Sequence, residues 1–157
     1  MKVNLGCPNY CRDYLCVDLN PKDSRVLKAN VFDWLAEEYY EDDCLIEIYT
    51  KNLLEHLPDP GEFLRLCHGA LEKEGRLVLV TDNAEFFPFY FPFYLVKTGI
   101  GAHAKDEYAM SKHCNETHHY SIFTKMHLRN LFEYAGFHDI TVKRVLYGVR
   151  LKAEGVV

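Results

Sequence analysis

Two groups of residues in this chain have the types and spacing to do chemistry. The first lies between Val3 and Asp18, where VNLGCPNYCRDYLCVD places two apolar, strand-like runs either side of a small-residue turn and ends on a lone carboxylate. Backbone that must approach a nucleotide-type ligand closely favours glycine, here Gly6, and an acidic residue closing the second strand, here Asp18, can accept hydrogen bonds from ribose hydroxyls. The second is Asp82-Asn83, at the carboxyl end of the apolar run RLVLVT. Ligands of open α/β sheets bind at that end of the strands. Soft metal donors are also plentiful: Cys7, Cys11 and Cys16, then His103, His113, Cys114, His118 and His119. Their spacing matches no standard C-x-x-C pair, so no native metal site is expected.

Elements able to position these residues can be read from periodicity. Lys2 to Leu5 and Tyr14 to Asp18 form two strands joined by too few residues for a helical crossover, so the first helix of a nucleotide-binding unit is missing or reduced to a turn. Arg25 to Ala29 is a short strand, Val31 to Tyr40 carries a helical face, and Cys44 to Thr50 is a central strand covered on both faces, with Glu47 its one exception. Asp59-Pro60 starts a helix running from about 60 to 73, which Gly75 ends. Arg76 to Thr81 is a further buried strand. Thr124 caps a helix to about Ala135 that Gly136 terminates, and residues 140–146 and 149–151 form an antiparallel edge hairpin.

Between them, residues 84–120 form an irregular insert rich in aromatics and histidines. Phe86, Phe87, Phe89, Tyr90, Phe91, Phe93 and Tyr94 are interleaved with Pro88 and Pro92. Seven such rings would expose an apolar patch above about 1,000 Å². Burial against the core, a ligand or a second copy through 86–94 is therefore expected.

Composition narrows the class. The 157 residues suit a single domain over 1–157, with 48% apolar and 26% charged residues and a net charge of −5. An acidic balance argues against extended nucleic-acid binding, which needs a basic face. With no long apolar run and no export signal, the expectation is a cytoplasmic protein without a membrane span. Cys16, Cys44 and Cys67 sit in apolar patterns as small core residues.

The segments VNLGCPN, CVDLNP, IYTKNLLEHLPDPGEFLRLCHGALEKEGRLVLVTDN and HHYSIFTKMHLRNLFEYAGF occur in that order. Together they resemble the class I S-adenosylmethionine-dependent methyltransferases, over nearly all of residues 2–151. Within that family the chain is similar to a small bacterial and archaeal group in which the first strand runs almost directly into the second. The resemblance implies a Rossmann-like, mostly parallel sheet, S-adenosylmethionine as cofactor and a small-molecule acceptor. Position by position it implies that Gly6 and Cys7 underlie the methionine part, Asp18 takes the ribose, Leu19 packs on the adenine edge, Asn30 meets the adenine amine, and Lys51 and Asn52 face the cofactor. Pro8 stands where the family usually has a second glycine, and Asn30 where it usually has an acidic residue.

Methyl transfer needs chiefly a near-attack geometry and exclusion of water, with a base to help a hydroxyl or amine acceptor. Histidine titrates in the useful range, so His118, His119 and His56 are the catalytic candidates, with Asn83 and Tyr120 toward the acceptor. The EHL turn also has a structural reading, as the device that orders the loop before the next helix. The alternative function is a methyltransferase-like fold without catalysis, serving as a binding or assembly module.

Overall fold

A computed structural model describes residues 1–37, 45–89 and 119–157, without the side chains of 87–89. Residues 38–40 of the expected first helix, the acidic turn expected at 41–43, Cys44, most of the aromatic insert and most of the expected dimer contact at 86–94 lie outside the described residues, as does His118.

Seven strands form one sheet in the order β3-β2-β1-β4-β5-β7-β6. β1 (Lys2–Leu5) is its parallel centre, flanked by β2 (Leu15–Asp18) and β4 (Leu45–Lys51), with the two-residue β3 (Leu27–Lys28) outside β2. β3 is shorter than the expected 25–29. β5 (Leu71–Asp82) pairs parallel with β4 and antiparallel with β7 (Arg150–Val156), and β6 (His138–Val145) closes the edge against β7. The terminal hairpin is thus antiparallel and at the edge, as expected, but longer: β7 runs on to Val156 because every residue from Arg150 pairs with β5.

No helix lies between β1 and β2. Gly6 turns the chain at φ 72°, and its N–H and that of Cys7 both donate to Val17 O, at 2.9 and 3.3 Å. A Cβ at Gly6 would lie 2.9 Å from Leu53 Cδ1, so the turn is pressed against the segment leaving β4. Positive φ and close approach together demand glycine there.

α1 (Val31–Glu37) and α2 (Pro60–Ala70) follow their caps. Asn30 Oδ1 accepts from Phe32 N at 2.9 Å, and Asp59 Oδ1 from Glu62 N at 2.8 Å. α2 ends at Ala70, three residues before the expected 73. Leu71 leaves the helix because its buried side chain and backbone pair with Leu45 at the start of β4. Gly75 therefore serves another purpose: a Cβ would meet Glu72 O at 2.7 Å and Leu45 O at 2.9 Å.

α3 (Lys125–Ala135) keeps its expected ends, with Thr124 Oγ1 accepting from His127 N at 3.2 Å and Gly136 at φ 103°. Phe63, Leu64 and Cys67 of α2 and Leu128 and Phe132 of α3 are fully buried in the core under the sheet. Burial of each such large side chain contributes roughly 1.5–3 kcal/mol.

The expected pattern of β4 is reversed at two residues. Ile46 is 42% exposed, whereas Glu47 is only 3% exposed. Glu47 is buried because it is paired: Tyr14 Oη and Arg76 donate to it, Arg76 Nε at 2.6 Å, and Lys2 Nζ lies 3.8 Å away. Among the described residues no helix is long and apolar enough to cross a membrane.

Candidate functional site

A cleft opens at the carboxyl ends of β1, β2, β3 and β4, lined by Gly6, Asp18, Leu19, Asn20, Asn30, Val31, Phe32, Leu53, His56, Leu57 and Pro58. Four of the seven residues expected at the cofactor are on this lining: Gly6, Asp18, Leu19 and Asn30. Asp18 closes β2, and its Oδ1 accepts from Asn20 N at 2.8 Å, which orients the carboxylate at the cleft's edge. Leu19, 41% exposed, gives the same wall an apolar surface. Asn30 holds the start of α1 with Oδ1. Leu53, His56 and Leu57 form the opposite wall.

Cys7, Lys51 and Asn52 are not on the lining. The Cys7 thiol donates to Asn9 O at 2.9 Å, and burial, with Cys16 alongside, pushes it up to about 11, so it stays a neutral thiol at pH 7. Lys51 is exposed. Asn52, at φ 57°, donates its N–H to Val80 O and accepts from Arg150 through Oδ1.

Beside the cleft stands a second group of polar residues. The short 3₁₀ turn Leu54–His56 presents Glu55 and His56, and the chain returning at Tyr120 is tied to it, because Tyr120 N and Ser121 N both donate to Glu55 O, at 2.8 and 3.3 Å. His119 is thereby brought against His56, with ring centroids 4.5 Å apart and planes nearly perpendicular at 82°. His119 Nδ1 lies 3.5 Å from Asp82 Oδ2, and Arg150 Nη1 3.2 Å from Asp82 Oδ1. Asp82 and Arg150 are cross-strand partners of β5 and β7.

Glu55 is 1% exposed, and Thr81 Oγ1 donates to its Oε2 at 2.7 Å. Burial pushes its carboxyl up to about 7, with the Asp82 charge adding to the rise and the Thr81 hydrogen bond opposing it. Burial likewise raises Asp82, against the pull of Arg150 and His56.

Of the acceptor-side candidates, His56, His119 and Tyr120 meet here. Asn83 sits at the root of the same group, its amide engaged within the fold: Nδ2 donates to Gly148 O at 2.7 Å, and Oδ1 accepts from Glu85 N at 3.0 Å. The sequence reading did not single out Glu55 as a group facing His119, nor Arg150 as the partner of Asp82. The signal available was a glutamate and a histidine adjacent in one turn, yet Glu55 is buried among elements distant in sequence, Thr81 of β5 and the chain returning at 120–121.

This strand order, with one antiparallel strand inserted before the last, and a cleft at the carboxyl edge define a Rossmann-like methyltransferase fold. Residues 7–142 match the family model described as a methyltransferase domain, and the chain belongs to that family. Among solved structures it is similar to a SAM-dependent methyltransferase from Archaeoglobus fulgidus, at a TM-score of 0.70 and 16% identity, over 99% of this chain and 85% of that one. A complex between the Haloferax volcanii Trm112 methyltransferase activator and a methyltransferase matches at 0.61 and 11% identity, over 99% and 81%. A Thermotoga maritima SAM-dependent methyltransferase, described as a possible histamine N-methyltransferase, matches at 0.59 and 14%, over 99% and 81%. No curated protein matches at the sequence level.

S-adenosylmethionine is the cofactor of this fold and family, and the cleft has the donor set for it. One carboxylate at the end of β2 suits a ribose diol. The apolar side chains of Leu19, Val31 and Phe32 suit a purine face, and a glycine turn allows close backbone approach.

Proposed function

We propose that this chain is an active S-adenosylmethionine-dependent methyltransferase acting on a small-molecule hydroxyl or amine acceptor, as one domain over 1–157. The observation that carries this reading is the position of His56, which lines the cofactor cleft and also touches the His119–Asp82 group. Donor site and acceptor-side chemistry therefore share a wall. The bound cofactor supplies a methyl group on a sulfonium sulfur.

The chain's own contribution is placement and proton handling. Asp18, Leu19 and Asn30 hold the nucleoside end, with Gly6 beneath the amino-acid end and Cys7, Lys51 and Asn52 around it at longer range. His56 and His119, oriented by Asp82, offer nitrogen lone pairs where an acceptor must release its proton on forming the new bond to carbon. His118, next to His119 in sequence, belongs to the same proposal, as do Asn83 and Tyr120 toward the acceptor. The apolar side chains of Leu19, Val31, Phe32, Leu53 and Leu57 along the cleft limit the water that can compete.

Calorimetry tests the cofactor half. Heat with S-adenosylhomocysteine for the wild type, abolished in Asp18→Ala while the circular dichroism is retained, is the expected result. No heat with either S-adenosylmethionine or S-adenosylhomocysteine at hundreds of micromolar would overturn it in favour of a binding module. For catalysis, incubation with labelled cofactor and pooled small hydroxyl and amine compounds should give label transfer that His119→Asn abolishes and cofactor binding that it leaves intact.

A further inference from the structure

We infer that Glu55, His56 and His119 form a binding site for one divalent transition-metal ion, zinc-like in its preference, on the acceptor side of the cofactor cleft. The ligating atoms of these three residues all lie within 4.8 Å of one another. Two imidazoles and one carboxylate are a donor set that binds first-row divalent ions and leaves coordination positions open for water or substrate. Donors about 2.1 Å from a tetrahedral ion stand roughly 3.4 Å apart. The donor atoms, within 4.8 Å of one another, would close by up to about 1.4 Å around an ion.

The surroundings are those of a built site. Glu55 is 1% exposed, held by Thr81 at 2.7 Å, and its turn is fixed by two backbone hydrogen bonds from 120 and 121. A carboxylate has about four lone-pair positions, so the Thr81 bond leaves acceptor capacity for an ion. Behind His119 stands Asp82, the carboxylate that orients a ligating imidazole and raises its basicity. Charge balance is workable too. The cation Arg150 is 3.2 Å from Asp82 and offsets that carboxylate, while Glu55, a separate carboxylate, remains for the ion.

The ion's role rests on the methyltransferase reading, but its binding does not. If acceptors are methylated here, an open metal position beside His56 would hold the acceptor oxygen or nitrogen and lower its proton affinity, so that with an ion bound the imidazoles would serve as ligands in place of bases and the proton would pass to water. This departs from the expectation that the chain has no metal site, since donors remote in sequence converge only through the pinning of residues 119–121.

Cobalt(II) titration of the full chain, stripped with chelator and without cofactor, tests the site directly. The expected result is one equivalent bound with nitrogen–oxygen visible bands. His56→Ala and His119→Asn should each weaken it by about tenfold or more, and the exposed His127→Ala should leave it unchanged. Circular dichroism of each variant checks the fold, and a Glu55→Gln variant, which keeps the shape of the buried side chain, should weaken binding similarly. Unchanged cobalt affinity in all three cluster variants, or a thiolate charge-transfer band that Cys7→Ser removes, would overturn the proposal. Cofactor binding by calorimetry is a separate readout, so failure here and failure of the methyltransferase reading are distinguishable.

Discussion

Asp18 shows how a single carboxylate can serve the fold and a ligand at once. Its Oδ1 already accepts from Asn20 N, so the ribose must share the carboxylate with the turn. Asp18→Asn keeps one oxygen for that bond and loses the charge. Hydrogen bonds to charged groups are worth about 1.5–3 kcal/mol, so cofactor affinity should fall roughly ten- to a hundredfold, measured by calorimetry, with the melting temperature of the free protein nearly unchanged. Thr50, on β4, offers the opposite case. It is 1% exposed, and its Oγ1 has no hydrogen-bond partner among the described residues. Burying an unpaired hydroxyl costs about 1–3 kcal/mol, so Thr50→Val, which keeps the shape, should raise the denaturant midpoint. Asp18 was legible in the sequence because one acidic residue ending an apolar strand is a local signal. Asp82 was legible in the same way, at the end of an apolar run, but its pairing with Arg150 and the role of Glu55 were not, since each acquires its meaning from a residue on another strand or turn. The Glu55–Thr81 pair, for example, spans 26 positions.

At the scale of elements, local chemistry determined where helices begin, and the sheet determined where some of them end. Asp59-Pro60 and Thr124 are caps that need no distant partner, and both are observed as read. The early end of α2 at Ala70 could not be read locally, because Leu71 to Lys73 have ordinary helical residues and only pairing of Leu71 with Leu45 draws them into β5. The same competition explains β7, whose last residues alternate inward only through the small Ala153 and Gly155 but have a complete row of partners in β5. The turn after β1 joins these scales, since Gly6 fits both a positive φ and the space beside Leu53. Gly6→Ala would meet a left-handed backbone cost of about 1–2 kcal/mol and a contact at 2.9 Å with Leu53. The variant should be destabilised in urea and should also lose cofactor affinity, whereas Gly6→Ala combined with Leu53→Ala should recover part of the stability but not the affinity, since Leu53 is itself a wall of the cleft.

Across the whole molecule, one ion-pair row ties the sheet together and sets its behaviour in acid. Lys2, Glu47 and Arg76 face each other on β1, β4 and β5 in register, with Tyr14 from the β1–β2 connection completing the group. Burial alone would push the Glu47 carboxyl up, but the hydrogen bonds from Tyr14 and Arg76 and the charges of Arg76 and Lys2 prevail and hold it below its usual value. The same bond pushes the Tyr14 phenol up to about 12. A carboxylate whose folded pKa lies below its unfolded one stabilises the fold at all pH above the unfolded value, and that stability is lost as pH falls through the folded pKa. Glu47→Gln should therefore cost roughly 1–3 kcal/mol at pH 7, tempered because Arg76 is largely exposed. Urea unfolding of wild type and variant from pH 7 down to about 2 should show the difference constant until the unfolded carboxylate range near 4.5, then shrinking as the wild-type charge is titrated away. A difference that stays the same down to pH 2 would mean that Glu47 contributes shape and not charge, and the acid sensitivity of the sheet would then have to arise elsewhere.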